Sequence, residues 1–366
     1  MQDLTCGFIG LGLIGGSIAK AIKENIPSSR IIAYDINQET LQMAKDQAVA
    51  DIITTSIDST FSQCDYIFLC APVQKNDANL LQVKNILSKN CLLTDVGSVK
   101  SDIHTAIREA GLEKQFIGGH PMAGSERIGF VHSKAMLLQN AYYILTPTEE
   151  SSPEKLKEYK ALVETIGAIP LILNSDQHDY VTAAISHVPH VIAASLVNLV
   201  KNSDSKDGIM KMIAAGGFKD ITRIASSSST MWQQICLTNA DNISKLLGDY
   251  IDSLQAFKET IDSKDKDELY NLFNSARIYR DSFINESSGP IKRNYFITID
   301  ITDKPGALAA IASLFALNEI SIKNIGIVHN REYEGGVLRI EFYEEASINR
   351  AKEILIPQGY TIYEHG

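Results

Sequence analysis

Cysteine is scarce and unpatterned in this chain of 366 residues. Five are present, Cys6, Cys64, Cys70, Cys91 and Cys236, with no CxxC spacing among them. A disulfide framework is therefore not expected, and four of the five sit in or beside apolar runs, as buried thiols in a reducing cytosol do. Positive charge is in deficit: 34 Lys and Arg stand against 44 Asp and Glu, a net charge of −10. A nucleic-acid surface is not expected from that balance, and an anionic substrate would need a local basic site. No apolar run approaches the ~20 residues of a membrane span, so no membrane partner is expected. The N-terminus enters a strand almost at once, without a basic segment and apolar core ahead of it, so no secretory leader is expected and a cytoplasmic location is. His187 and His190 share a spacing that metal ligands use, but no third ligand stands out, and no metal site is expected. What remains is an ordinary globular composition, 45% hydrophobic and 21% charged, in a chain long enough for two or three domains.

The most informative feature present is Gly10-Leu11-Gly12-Leu13-Ile14-Gly15. It follows the apolar run Cys6–Ile9 and opens an apolar-periodic stretch that continues to Ile22. Glycine-rich turns alone are common. Here a strand precedes the turn, a helix follows it, and Asp35 ends the next apolar run, Ile31 to Tyr34. In that context Gly10 allows the tight turn, Gly12 lets backbone approach a pyrophosphate, and Gly15 allows close helix–strand contact. The helix N-terminus offers unpaired N–H groups to the phosphates. Asp35 would accept hydrogen bonds from the adenine-side ribose and repel a 2′-phosphate, which favours NAD over NADP.

Beyond this turn, strand-like and helix-like segments alternate, and the pattern predicts a parallel sheet with helices on both faces. Apolar runs at 66–70, 91–94, 116–119, 142–145 and 170–173 supply further strands, and Ser152-Pro153 and Gly167 bracket a helix. After Asn174 strand signals stop. Residues 176–200 read as one helix, apolar on most sides, which suits the middle of a bundle or a subunit interface. Further helical segments are expected over 207–224, 229–262 and 265–285, and the all-helical stretch suggests a homodimer. A breaker-rich linker at 286–290 precedes a last period change. Strand signals near 295–301, 320–328, 336–343 and 360–363, with helices at 307–317 and 347–358, read as a βαββαβ unit.

Four polar clusters sit where strands or helices end. Asp95-Val96-Gly97-Ser98-Val99-Lys100 closes the fifth strand, at the edge where open α/β sheets bind ligands. Ser98 there either donates to a substrate or orients a base, and a plain capping turn is the alternative. Gly119-His120-Pro121 ends the next strand at the same edge, and histidine is the usual general base near neutral pH. Ser186-His187-Val188-Pro189-His190 interrupts the apolar helix. Pro189 is expected to kink it and aim His187 at a cleft. In Gly216 to Ala225, Arg223 offers a bidentate clamp for a carboxylate. Asp220, one turn earlier, is placed to hold it, with Trp232 and Asn239 downstream.

Taken together, GLGLIGGSIAK at 10–20, TDVGSVK at 94–100, GGHPMAGSE at 118–126, SHVPH at 186–190 and GGFKDITRIA at 216–225 resemble the prephenate dehydrogenase family, in the family's order and across residues 5 to about 285. DKPGAL at 303–308 makes the tail resemble an ACT domain, a module that usually binds amino acids. Ser227 to Thr230 precede Met231-Trp232 where many relatives carry a proline, which leaves that loop's geometry open.

The resemblance implies a Rossmann-type domain over 1–174, a helical substrate and dimerisation domain over 175–286, and an ACT domain over 294–366. It implies NAD-dependent oxidative decarboxylation of prephenate to 4-hydroxyphenylpyruvate in tyrosine biosynthesis, with tyrosine as a feedback effector. Carried over by motif, His120 is the base and Ser98 binds the same hydroxyl or positions His120. His187 and Arg223 hold the two substrate carboxylates. Ser125, Glu126 and Asp220 complete the substrate site, the last two with Arg223 as an ionic network. Arogenate as substrate, or dual specificity, remains open on these residues. A β-hydroxyacid dehydrogenase would use a lysine in place of the paired histidine motifs. A non-catalytic NAD sensor would not need His120, His187 and Arg223 together. No chorismate mutase segment is expected ahead of the first strand.

Overall fold

The computed structural model describes residues 4–71, 73–124, 127–285, 295–301, 304–328 and 336–363. They group into two compact units, residues 1–264 and 265–366.

The first unit opens with β1 (Thr5–Ile9), α1 (Leu13–Asn25), β2 (Arg30–Tyr34), α2 (Gln38–Asp46), β3 (Ile52–Thr54), β4 (Tyr66–Leu69), α3 (Val73–Lys84) and β5 (Leu92–Asp95). The strands lie in the order β3-β2-β1-β4-β5, every pair parallel. Period-two alternation explains the layering. Cys6 and Phe8 of β1 and Tyr66 and Phe68 of β4 point into a core shared with α1 and α2, where Phe8 stacks on Phe68 with ring centroids 4.8 Å apart. Ile9, Ile67 and Leu69 point the other way, towards Leu80 and Val83 of α3.

The sheet continues through α4 (Ser101–Ala110), β6 (Ile117–Pro121), β7 (Tyr142–Pro147), α5 (Pro153–Thr165) and β8 (Ile169–Ile172). A parallel bridge between Leu93 and Phe116 joins β6 to β5. β7 runs antiparallel to β6 and β8 parallel to β7. A buried ion pair is built into this edge. The Lys100 ammonium donates to Asp95 and, at 2.8 Å, to the carbonyl of Gly119, while Asp95 Oδ1 accepts the Gly119 N–H at 3.2 Å. Both side chains are buried, so each charge has little but the other to offset its lost hydration.

The helical part begins with one continuous helix over Ser175–Ser203: α6 (Ser175–Thr182), a π-helical turn at Ala183–His187, and α7 (Val188–Ser203). Asn174 and Gln177 form a reciprocal capping box at its start. The π turn precedes Pro189, which has no N–H to give the ladder, and the helix runs on through it without a break. One expectation is corrected. This helix is long and apolar enough, by length and composition, to cross a membrane, with a mean hydropathy of 1.5. Four of its polar residues, His178, Asp179, Thr182 and His187, are buried within the protein. Counting uninterrupted apolar runs misses such a helix, because the polar positions break the run without breaking the apolar face.

The remaining helices of this unit are shorter than the sequence pattern suggests. Residues 207–224 divide into α8 (Ile209–Ile213) and α9 (Gly216–Thr222), separated by Ala214 and Ala215 out of helical conformation, with a 3-10 turn at Arg223–Ser226. Residues 229–262 divide into α10 (Ser229–Thr238) and α11 (Ala240–Ser263) at Asn239. The core among these helices is small: Ala183, Val188 and Ile243, with Ile192, Cys236, Leu246 and Leu247 packed against them.

The second unit holds α12 (Lys266–Asn285), β9 (Tyr295–Ile301), α13 (Ala307–Leu317), β10 (Ile322–Val328), β11 (Gly336–Phe342), α14 (Glu345–Leu355) and β12 (Ile362–Tyr363). The strands form an antiparallel sheet in the order β10-β11-β9-β12, which is the βαββαβ arrangement. Ile297, Ile299, Leu338 and Ile340 pack beneath Ile311, Phe315 and Leu355.

Replacing Lys100 by Met would strand the Asp95 carboxylate in the interior. The expected loss is ~3–5 kcal/mol of unfolding free energy, read as a lower urea midpoint at neutral pH. An unchanged midpoint would remove the pair from the fold's stability.

Candidate active site

The glycine turn follows β1, and its three glycines meet three different surroundings. Gly10 has φ +100°, and a side chain there would lie 2.9 Å from backbone atoms of Cys70 and Ala71. A Cβ at Gly15 would press the carbonyl of Gly10 at 2.7 Å and Cys70 at 2.9 Å, so α1 packs on β4 only without one. At Gly12 nothing lies within 4 Å. That opening faces the first turn of α1, begun by Leu13 and Ile14, where no side chain caps the N–H groups. Leu11 is buried, and its N–H is accepted by Asp35 Oδ2 at 2.7 Å, while Asp35 Oδ1 accepts from Asn37 N at 2.8 Å. A carboxylate is thus anchored at the end of β2, beside an uncapped helix start with clear space above Gly12. These residues fit a dinucleotide.

His120 stands at the C-terminal end of β6, on the same edge of the sheet. The two glycines before it are packing requirements. A Cβ at Gly118 would lie 2.3 Å from Thr146 Oγ1, and one at Gly119 2.7 Å from the Asp95 carbonyl. With Gly119 clamped at both its N–H and its C=O by Asp95 and Lys100, the backbone that carries His120 is fixed.

The His120 ring reaches the helical part. Its Nδ1 lies 2.8 Å from Nε2 of His178, whose Nδ1 lies 2.7 Å from Asp179 Oδ1. Asp179 also accepts from the backbone N–H of Lys100 at 2.7 Å and of Ser101 at 2.8 Å, and from the Ser101 hydroxyl. The Asp179 carbonyl accepts from Asn239 Nδ2 at 2.8 Å, and that amide also donates to His187 Nδ1 at 3.1 Å. Three residues, His178, Asp179 and Asn239, therefore link the two histidines that the sequence singles out, His120 and His187. His187 is edge-on to Trp232, and His190 stacks on the same indole at 3.7 Å. The Trp232 Nε1 is buried with no hydrogen-bond partner among the described residues.

Burial governs the charge state here. It drives the His120 imidazole well below the ordinary histidine value, and His178, Lys100 and His187 push the same way. Burial takes His187 down to about 4 against the opposing pull of Asp179, and also lowers His178. For Asp179 burial acts upward, but the hydrogen bonds from His178, Ser101 and Lys100 outweigh it and keep the carboxylate ionised. The histidines are neutral at pH 7. Since Asn239 donates to Nδ1 of His187, that ring carries its hydrogen on Nε2 and offers a neutral N–H donor.

Ser98 is half-buried in the loop after β5, and Nδ1 of His120 is taken by His178. Arg223 and Asp220 are exposed, and no ion pair links them among the described residues. α9 ends at Thr222 and Arg223 opens a 3-10 turn. Ser125 and Glu126 lie outside the described residues. No metal-ligand cluster occurs among the described residues. Sequence reasoning passed over His178, Asp179 and the buried role of Lys100. The available signal was an adjacent imidazole and carboxylate on an otherwise apolar helix.

An open glycine turn and a neutral, desolvated histidine on one sheet edge define a dinucleotide-dependent dehydrogenase with a helical second lobe. Residues 18–171 match the family description "Prephenate dehydrogenase, nucleotide-binding domain", and residues 174–275 match "Prephenate dehydrogenase, dimerization domain". The chain is 37% identical over 357 residues to the prephenate dehydrogenase of Bacillus subtilis (strain 168), covering 97% of this chain and 96% of that protein. Among solved structures it is similar to Aquifex aeolicus prephenate dehydrogenase in complex with hydroxyphenyl propionate and NAD+, with a TM-score of 0.73 and 33% identity over 77% of this chain and 99% of that one. Synechocystis arogenate dehydrogenase gives a TM-score of 0.69 and 29% identity over 76% of this chain and all of that one. The chain belongs to the prephenate dehydrogenase family, and its cofactor is NAD.

The depressed histidines couple stability to pH. His187 and His104 titrate at about 4 in the folded chain, against 6.5 ordinarily. The unfolded chain therefore binds more protons between those values. Their contribution is complete above about pH 6.5 and is lost as the pH falls towards 4. The thermal midpoint should fall between pH 7.5 and 5, and a flat profile would contradict buried neutral rings.

Proposed function

We propose that the chain converts prephenate to 4-hydroxyphenylpyruvate and CO2 with reduction of NAD, as a step of tyrosine biosynthesis in the cytoplasm. The observation that carries this reading is His120: a neutral imidazole, backbone-clamped, at the strand end that adjoins the dinucleotide turn. Bound NAD supplies a hydride acceptor. The C4 hydroxyl of the substrate must lose its proton as the hydride departs, and His120 is the group to take it. Loss of CO2 then makes the ring aromatic and leaves charge on the same oxygen, which recovers the proton from His120. The residue ends the cycle as it began, and aromatisation makes the reaction nearly irreversible.

Ser98, whose hydroxyl has no hydrogen-bond partner among the described residues, binds the same C4 oxygen. His187 binds a substrate carboxylate as a neutral N–H donor, and Arg223 supplies the positive charge for the other. Ser125, Glu126 and Asp220 complete the substrate site. Gly10, Leu11, Gly12, Leu13, Ile14, Gly15 and Asp35 hold the dinucleotide.

The helical part serves as the dimer contact. Its own core is small, while Ile185, Leu199, Met212, Ile213 and Leu237 are all exposed in the single chain. A second copy laid on these side chains would bury them. The domain limits 1–174, 175–286 and 294–366 follow this division of labour.

The βαββαβ unit is read as an ACT domain that takes tyrosine as effector. In its favour, an apolar hollow of about 380 Å³ lies between α13 and the sheet, lined by Leu308, Ala309, Ala312, Ile325, Gly326 and Leu338. The turn ahead of α13 and Asn324 would meet the amino-acid backbone, with Asp303 of that turn outside the described residues.

NADH absorbance with prephenate, arogenate, NAD and NADP separates the readings. Turnover is expected with prephenate and NAD, arogenate turnover would make the specificity dual or different, and no signal with any pair would favour a sensor. His120→Asn should lower kcat by ~10²–10⁴-fold, and Arg223→Ala should act chiefly on KM. Tyrosine should inhibit the full chain more than a chain ending at Ser288. Equal inhibition would place the effect at the active site.

A further inference from the structure

We propose that His178 and Asp179 form a proton-ordering relay behind His120, which fixes the hydrogen of His120 on Nδ1 and its unshared pair on Nε2. The inference rests on the reading of His120 as the base and names the positioning groups that make it one.

The acceptor at the far end sets the order of the hydrogens. Asp179 holds four donors: the backbone N–H groups of Lys100 and Ser101, the Ser101 hydroxyl and Nδ1 of His178. An ionised carboxylate only accepts, so Nδ1 of His178 must carry a hydrogen. In a neutral imidazole the other nitrogen then has the unshared pair. That nitrogen, Nε2, lies 2.8 Å from Nδ1 of His120, so His120 must donate there. The remaining nitrogen of His120, Nε2, is left with an unshared pair to accept a proton. The opposite tautomer of His120 would set two unshared pairs against each other in a buried contact.

Packing alone accounts for part of this arrangement. Asp179 caps the start of α4, which a structural carboxylate does as well. It does not account for His178, which is fully buried with both ring nitrogens engaged, one by the carboxylate and one by His120. When Nε2 of His120 takes the substrate proton, its Nδ1–H bond to His178 becomes charge-assisted, and the new positive charge lies one imidazole away from Asp179. The other cation nearby, Lys100, is already paired with Asp95. His178 and Asp179 are therefore positioning residues, and neither needs to touch substrate.

Two measurements test this on the full chain. The first is the imidazole nitrogen spectrum of histidine-labelled protein without substrate at pH 7.5, assigned with His120→Asn and His178→Gln. Both His120 and His178 should show the Nδ1–H tautomer, and an Nε2–H tautomer at His120 overturns the relay. This result does not depend on any substrate, so a chain inactive with prephenate would sink the proposed function and still leave the relay decided. The second is a pair of variants. His178→Leu should lower kcat by ~10²-fold or more with KM for prephenate changed by less than ~3-fold, the pattern of a lost orienting group. His178→Gln, whose side-chain oxygen accepts from Nδ1 of His120, should recover at least ~10-fold of that loss. A Leu variant with full kcat, or Leu and Gln variants equally impaired, would overturn it. Should the Leu variant not fold, the spectrum and the Gln variant decide.

Discussion

The site is organised around the carboxylate of Asp179. It projects from the first helix of the helical part, caps the start of α4 behind the sheet, and holds His178 against His120. The same residue's carbonyl anchors Asn239, which in turn orients His187. A sheet residue, two histidines on one helix and an asparagine between α10 and α11 thus share one anchor. Buried hydrogen-bonded networks of this kind are costly when incomplete, so each member constrains the rest.

A second buried carboxylate works beside it. Asp95 and Lys100 neutralise each other and grip the backbone of Gly119 at both polar atoms. The desolvation of two charges is a large expense for one glycine, unless the residue after it must be held in place. That residue is His120. The ordering of the site is consistent: charges are paired at the back and neutral imidazoles stand in front, while Arg223 is exposed and the start of α1 is uncapped.

The apolar helix shows how far local pattern reaches. Its existence over 176–200 was legible from composition, but the π turn at Ala183–His187 was not, since nothing in the string of residues marks one inserted residue in a helical ladder. His187 stood out because it interrupts apolar neighbours. His178 did not, because it lies near the polar start of the helix, where a histidine attracts no notice. Its partner is 58 residues away on another strand. The Asp220–Arg223 spacing is a different case: it suggested a contact, and among the described residues no ion pair joins the two.

What the sequence determined by itself was whatever depends on near neighbours. Strand, glycine turn and helix in succession marked a dinucleotide site, with Asp35 at the length of one βαβ unit, because the left-handed turn at Gly10 and the helix start after Gly12 are set within a few residues. The succession of strands and helices and the βαββαβ tail followed from hydrophobic period in the same way. Only the tertiary structure decided which ring nitrogen of His120 faces His178, which groups sit behind it, and that Lys100 is buried. Those outcomes turn on hydrogen bonds across 5 to 79 positions of chain, and a donor finds its acceptor only after the sheet and the helices have packed.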